Sequence, residues 1–214
     1  MKKNLLSGSL LTLFIGGLAL SGFYGLKTNA STSATVATVA SENVAAPLPA
    51  TDLPAQLLPV YGGSGGTAFN RDCGTNRVLT GLRFRSGQEL DAVGLLCRPV
   101  LSDGTLGPET TVGTLTGGGG GTSNAASCPQ GKVVVQARIV FGSWVDSVEL
   151  YCLNWDHATR SFRQGSGTIL DVGRHTSPTA GQNEGCESSF QPAHAIRGRS
   201  GIFVDAFGLI CDEP

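Results

Sequence analysis

Alternation of apolar and polar positions along this chain predicts short strands rather than helices. In Leu90–Arg98, Val145–Leu153 and Phe203–Cys211 a branched or aromatic residue recurs at every second position. By that period Asp91, Val93, Leu95 and Cys97 share one face, as do Asp146, Val148, Leu150 and Cys152, and Asp205, Phe207, Leu209 and Cys211. Each run is preceded by a second candidate strand: Arg77–Arg85, Lys132–Val140 and Ala193–Arg199. A short glycine-bearing turn separates the members of each pair, so three hairpins are expected. Thr110–Leu115 and Thr168–Val172 are expected to add further strands. With 31 glycines and many β-branched residues, the chain favours strands and turns over helix.

The three hairpins are copies of one pattern. Arg-x-x-x-Gly-x-x-x-Asp, with a cysteine six residues further on, occurs at Arg83-Gly87-Asp91-Cys97, Arg138-Gly142-Asp146-Cys152 and Arg197-Gly201-Asp205-Cys211. A repeat of about 55 residues predicts units that bury their apolar faces against one another. Arginine and aspartate lie symmetrically about the glycine, so a hairpin centred there makes them cross-strand neighbours. Three ion pairs, Arg83–Asp91, Arg138–Asp146 and Arg197–Asp205, are the structural expectation for these aspartates.

A second cysteine precedes each copy, at Cys73, Cys128 and Cys186, so all six are used two per unit. Equivalent units should bond equivalently, which selects Cys73–Cys97, Cys128–Cys152 and Cys186–Cys211. Closing loops of this length should stabilise by roughly 3 kcal/mol each. There is no CxxC and no paired histidine, so the spacing does not suggest metal, and no cofactor is expected.

Disulfides imply an oxidising compartment, and the N-terminus agrees. Lys2 and Lys3 precede an apolar stretch from Leu5 to Leu26, and Thr28-Asn29-Ala30 offers a small-residue cleavage site. Residues 1–30 are therefore expected to be a signal peptide, or a membrane anchor if left uncleaved. The chain is expected to be secreted, periplasmic or cell-envelope. Residues 31–60, rich in Ala, Thr, Ser and Pro, read as a flexible linker or pro-segment, with the folded domain over 61–214. Removing Lys2, Lys3 and Lys27 with the signal leaves 12 of the 15 basic residues against 16 acidic ones. A weakly acidic surface without a Lys/Arg cluster argues against nucleic acid.

Glycine-rich segments stand at equal distances before the first two units: Gly62-Gly63-Ser64-Gly65-Gly66 and Gly117 through Gly121. The third unit has His175-Thr176-Ser177-Pro178-Thr179 there instead. A glycine segment, a strand, then Gly-x-x-x-Asp and an alternating strand resembles the jacalin-related lectins. That resemblance implies an all-β fold, a β-prism with pseudo-threefold symmetry and three Greek-key-like repeats. It also implies that the Gly-x-x-x-Asp loop binds sugar, its aspartate accepting hydrogen bonds from hydroxyls and its amides donating. The paired cysteines resemble the vitelline membrane outer layer protein family, also a secreted, disulfide-bearing β-prism.

The sugar-binding candidates are then Gly87, Gln88 and Asp91; Gly142, Ser143, Trp144 and Asp146; and Gly201 and Asp205. The second loop ranks first, then the first loop, then the third. Trp144 offers a ring for a sugar's C–H face, Asp146 an acceptor, and Gly117–Gly121 is expected beside them.

Catalysis has no constellation to rest on. Gly62-Gly63-Ser64-Gly65-Gly66 matches G-x-S-x-G but lacks the helix a nucleophile elbow requires. His157, His175 and His194 are scattered, and the glycine runs lack the Lys-Ser/Thr of a phosphate loop. The expectation is a non-enzymatic lectin-like module whose partners are glycans or cell-surface polysaccharide. The alternative is a structural or adhesive envelope protein that binds no sugar.

Overall fold

A computed structural model describes residues 53–174, 181–187, 191–212 and 214. The expected signal peptide, the linker up to residue 52 and His175–Thr179 lie outside the described residues. The described residues form thirteen strands, in the order β1 (Gln56–Leu57), β2 (Tyr61–Gly62), β3 (Thr67–Asp72), β4 (Arg77–Ser86), β5 (Leu90–Pro99), β6 (Thr110–Gly117), β7 (Thr122–Ser127), β8 (Lys132–Phe141), β9 (Val145–Asp156), β10 (Ser161–Gly173), β11 (Gln182–Gly185), β12 (Ala193–Ser200) and β13 (Val204–Cys211). There is no α-helix among the described residues. The predicted strands all form, most of them one to three residues longer than the alternation marks. Phe203 is the exception: its carbonyl accepts from Gly201 N at 2.9 Å, which holds it in the turn before β13.

Three antiparallel sheets are built around the three hairpins. Their orders are β6-β5-β4-β7, β10-β9-β8-β11, and β1-β13-β12-β3 with β2 also on β13. Each hairpin lies at the centre of its sheet and is completed by a strand that precedes a different hairpin in sequence. Thus β7, which leads into β8, pairs with β4; β11, which leads into β12, pairs with β8. Closing the ring, β3 pairs with β12. The domain also starts earlier than the composition suggested. Gln56 and Leu57 pair with Cys211 and Ile210, and Leu58 is buried in the core, so residues 56–58 belong to the folded domain.

The inner faces meet in one hydrophobic cluster. Leu82, Val93 and Leu95 of the first hairpin pack with Ile139, Val148 and Leu150 of the second and Ile196, Phe207 and Leu209 of the third. Burying a side chain of this size contributes about 1.5–3 kcal/mol, so the threefold apolar pattern is the main source of stability. The disulfides are Cys73–Cys97, Cys128–Cys152 and Cys186–Cys211, as the repeat selects, with Cα–Cα distances of 5.8, 5.8 and 5.5 Å.

Alternation fails at the aspartates. The pairing shifts register between Arg85↔Ala92 and Ser86↔Leu90, which leaves Asp91 as the unpaired extra residue of a β-bulge. Asp146 and Asp205 occupy the same bulge in their hairpins. A bulge re-aims a side chain, and here it turns each aspartate off the core face while Leu90, Val145 and Val204 enter the core instead. The expected Arg–Asp pairs are absent because each hairpin closes about the residue after the glycine, as at Ser86↔Leu90, and the bulge adds one more residue of offset. The register sets Arg83 opposite Gly94, Arg138 opposite Glu149 and Arg197 opposite Gly208. Arg138 accordingly pairs with Glu149 at 3.2 Å, and Arg83 donates to the Gly113 carbonyl.

One carboxyl group enters the core. Glu184 of β11 accepts a hydrogen bond from Leu209 N at 2.6 Å, bridging the second and third sheets, while its Oε2 is buried without a partner. Burial pushes this carboxyl up to about 8. The folded protein thus holds the proton more tightly than the unfolded chain. The stability from this group is complete below the ordinary glutamate range and is lost as pH rises through about 8. Urea unfolding of wild type and Glu184→Gln between about pH 5 and pH 8 checks this. The wild type is expected to lose stability with rising pH relative to the variant; parallel curves would show an ordinary carboxylate.

Candidate functional site

The three Gly-x-x-x-Asp turns gather at one end of the prism. Trp144 lies against Phe203 with ring centroids 5.1 Å apart, and a Cβ on Gly118 would strike Ile202 of the third turn. A Cβ on Gly63 would strike the Ser143 carbonyl of the second turn. Glycine loops and hairpin turns therefore interlock, and glycine is required because side chains have no room.

Topology decides which glycine loop meets which aspartate. Gly62–Gly66 joins β2, on β13, to β3, on β12, so it arches over the third hairpin. Gly63 N donates to the Asp205 carbonyl at 2.7 Å. In the same way Gly117–Gly121 joins β6 to β7 over the first hairpin, and Gly118 N donates to the Asp91 carbonyl at 2.8 Å. The run expected beside Trp144 and Asp146 thus belongs to Asp91. Gly173 fills the corresponding place over the second hairpin, against the Asp146 carbonyl, and no glycine run follows it in the sequence.

The first and third sites share a detailed geometry. Gly62 and Gly117 have φ of 137° and 123°, and Gly66 and Gly121 have φ of 61° and 60°, values that L side chains rarely adopt. Asp91 and Asp205 are 5% and 6% exposed, and each has its Oδ2 buried without a hydrogen-bond partner. A side chain on Gly120 or Gly121 would collide with the Asp91 carboxylate, and one on Gly65 or Gly66 with that of Asp205. The motif glycine borders the same gap. A Cβ at Gly87 would stand 3.7 Å from Asp91 Oδ2 and 3.8 Å from Gly121 Cα. At Gly201 the corresponding distances, to Asp205 Oδ2 and Gly66 Cα, are both 3.7 Å.

An arginine two residues beyond the repeat arginine ties each loop down. Arg85 Nε donates to the Gly120 carbonyl at 2.6 Å and Nη2 to Gly121 at 2.8 Å. Arg199 Nε donates to Gly65 at 2.6 Å and Nη2 to Gly66 at 2.7 Å. The second hairpin has Val140 in that position. Arg-x-Arg ahead of the turn was the sequence signal that separates the first and third hairpins from the second.

The second turn has another arrangement. Asp146 is more exposed than its two counterparts and hydrogen-bonds the Glu89 carboxyl, which together with burial pushes Glu89 up to about 7; the charges of Asp146 and Asp91 act in the same direction. The Glu89 carboxyl of the first hairpin thus stands against Asp146 of the second at the hairpin tips. Trp144 is 40% exposed beside Phe203, and a Cβ on Gly142 would find nothing within 4 Å. Gln88 and Ser143 are exposed at their turns.

No protein-family model matches the chain, and no curated sequence matches it. Solved structures do share its fold. A Malaysian banana lectin variant aligns with a TM-score of 0.52 at 15% identity, over 76% of this chain and all of that one. A jacalin-related lectin from Ananas comosus, described as mannose-binding, aligns at 0.51 and 22% identity over 75% and 99% of the two chains. Artocarpin, solved with mannopentose, aligns at 0.50 and 13% identity over 72% and 95%. The fold is therefore the β-prism of the jacalin-related lectins. The likeness to the vitelline membrane outer layer family is not shown by these neighbours.

If Arg85 and Arg199 hold the loops, replacing either with alanine should free the backbone it grips. Amide exchange in Gly117–Gly121 of Arg85→Ala is expected to rise about tenfold, with Gly62–Gly66 unaffected and the reverse in Arg199→Ala. Unchanged exchange in both would show that the loops stand without the clamps.

Proposed function

We propose that this chain is a non-enzymatic carbohydrate-binding module with two sugar sites. One is the gap between Asp91 and the Gly117–Gly121 loop, the other the gap between Asp205 and the Gly62–Gly66 loop. The observation that carries the proposal is the same in both: a bulge-turned carboxylate has a buried, unpartnered oxygen beneath a glycine loop clamped by arginine.

A buried acceptor without a donor is costly, and it is satisfied by a ligand that brings hydroxyl groups. Adjacent sugar hydroxyls donate to the two carboxylate oxygens, while loop amides donate to ring and hydroxyl oxygens. The neighbour described as mannose-binding and the one solved with mannopentose support this class of ligand. Glycan or cell-surface polysaccharide outside the cell is the partner, reached through export by residues 1–30 and a tether from the segment that follows. The three disulfides fit an oxidising compartment. The second turn, which has Val140 in place of the clamping arginine and no glycine run, is not a sugar site in this reading.

A glycan array on the mature protein identifies a ligand, and calorimetry with that ligand counts sites. Two sites per chain are expected. Asp91→Asn and Asp205→Asn, which keep the shape and remove the charge, should each weaken one site by about tenfold or more, and the pair should abolish binding at both glycine loops. Asp146→Asn should leave both sites intact. A folded protein that retains no glycan, or a double variant that binds like wild type, refutes the proposal.

A further inference from the structure

The far end of the prism holds a second set of binding groups. A cleft of about 660 Å³ opens between the β5–β6 loop, the β7–β8 turn and the β9–β10 hairpin. Its lining includes Asp103, Gln130, Asn154, Trp155, Asp156 and His157. Lys132 and Asn154 face each other across β8 and β9 where Phe141 and Val145 do at the turn. At about 3.3 Å per residue the cleft lies on the order of 30 Å from the glycine loops.

Three features mark it as a built site rather than a surface dip. First, Trp155 presents an indole whose Nε1 is buried and has no hydrogen-bond partner. A buried N–H without an acceptor calls for an explanation, and an acceptor arriving in the cleft supplies one. Second, His157 stands edge-on to that indole at 5.2 Å, so two rings border the cleft at one place. Third, the carboxylates are fixed and charged. Asp103 Oδ1 accepts from Thr105 N and Oγ1 at 2.9 and 2.7 Å, and Asp156 accepts from Thr159 N and Arg163 Nη2, both at 3.1 Å. These bonds hold both groups below the usual carboxylate range, Asp103 chiefly through the Thr105 hydroxyl and Asp156 chiefly through Thr159 N.

The cleft also continues. A second hollow of about 330 Å³ shares His157 and runs past Asn76, Ser102 and Pro214. The whole is an extended groove of mixed polar and apolar lining, bordered by an aromatic pair and large enough for more than one sugar ring.

We propose that this groove is a separate saccharide-binding site, at the opposite end from the glycine loops, that takes a neutral oligosaccharide chain. Hydroxyl groups donate to Asp103 and Asp156 and accept from the indole N–H, and a ring's C–H face lies on the aromatic pair. Asp156 is paired with Arg163, so Asp103 supplies the negative charge that disfavours sulfated or phosphorylated chains. The assignment does not rest on the glycine-loop sites.

The chain has two tryptophans, Trp144 at one end and Trp155 at the other, so each end carries its own fluorophore. In Trp144→Phe the emission reports Trp155 alone. Titrating that variant with mannopentaose and with a β-1,4-linked N-acetylglucosamine hexamer is expected to give a saturable shift with at least one of them. The shift should persist when Asp91→Asn and Asp205→Asn are added, which separates this site from the other two. His157→Ala, at an exposed position, should weaken it by about fivefold. The proposal is overturned if emission stays constant to about 10 mM of both sugars. It is equally overturned if the shift disappears with the Asp91 and Asp205 substitutions, or if His157→Ala leaves the affinity unaltered.

Discussion

The ring of sheet-to-sheet disulfides is the constraint on which the rest of the molecule depends. Cys73 follows β3 in the third sheet and bonds Cys97 in the first; Cys128 follows β7 in the first and bonds Cys152 in the second; Cys186 follows β11 in the second and bonds Cys211 in the third. Each leading cysteine also donates its backbone N–H to the sheet it leaves, Cys73 to His194, Cys128 to Thr80 and Cys186 to Val135. A bond that looks local in sequence is therefore a seam between sheets. The seams oppose separation of the three sheets, and the apolar core can close around a single axis.

That seam explains what could and could not be read from the chain alone. Strand positions, hairpin pairing and disulfide partners were legible because they follow from a period of two and from the equivalence of repeats. The placement of the glycine loops was not. Gly117–Gly121 lies next to the second unit in sequence, and proximity assigns it to Trp144. The chain instead crosses back, so that β6 and β7 flank the first hairpin and their loop covers Asp91. Strand order in a sheet is not written in local periodicity. The Arg–Asp pairs failed for a different reason: each turn is centred one residue past the glycine and is followed by a single-residue bulge, and symmetry about a glycine reveals neither.

The bulge is also what makes an aspartate available for chemistry. On an unbroken strand, the alternation would have sent Asp91 and Asp205 toward the core. Displaced by one residue, they keep their burial but face a loop of glycine backbone. Three copies of the same bulge then diverge by what surrounds them. Two have an arginine two residues past the repeat arginine and a glycine run; the third has Val140, Glu89 as a neighbour and a sequence without the run. Repeat symmetry thus supplies the scaffold, and departures from it assign the tasks.

Glycine-built sites carry an entropic penalty, since a loop of glycines samples many more conformations than the one a ligand needs. This protein offsets it in two places. Arginine forks fix the loop carbonyls from outside, and the positive-φ glycines at either end set the direction of the loop against a sheet that the disulfides hold still. Ordering done in the free protein is not charged again on binding, so a shallow site with few contacts can still discriminate. The same reasoning extends to the far groove, where Thr105 and Thr159 pin the carboxylates before any ligand arrives. With both proposed sites filled, a rigid block with fixed acceptors at both ends would hold glycan chains apart at a set distance, which a flexible linker between separate modules cannot do.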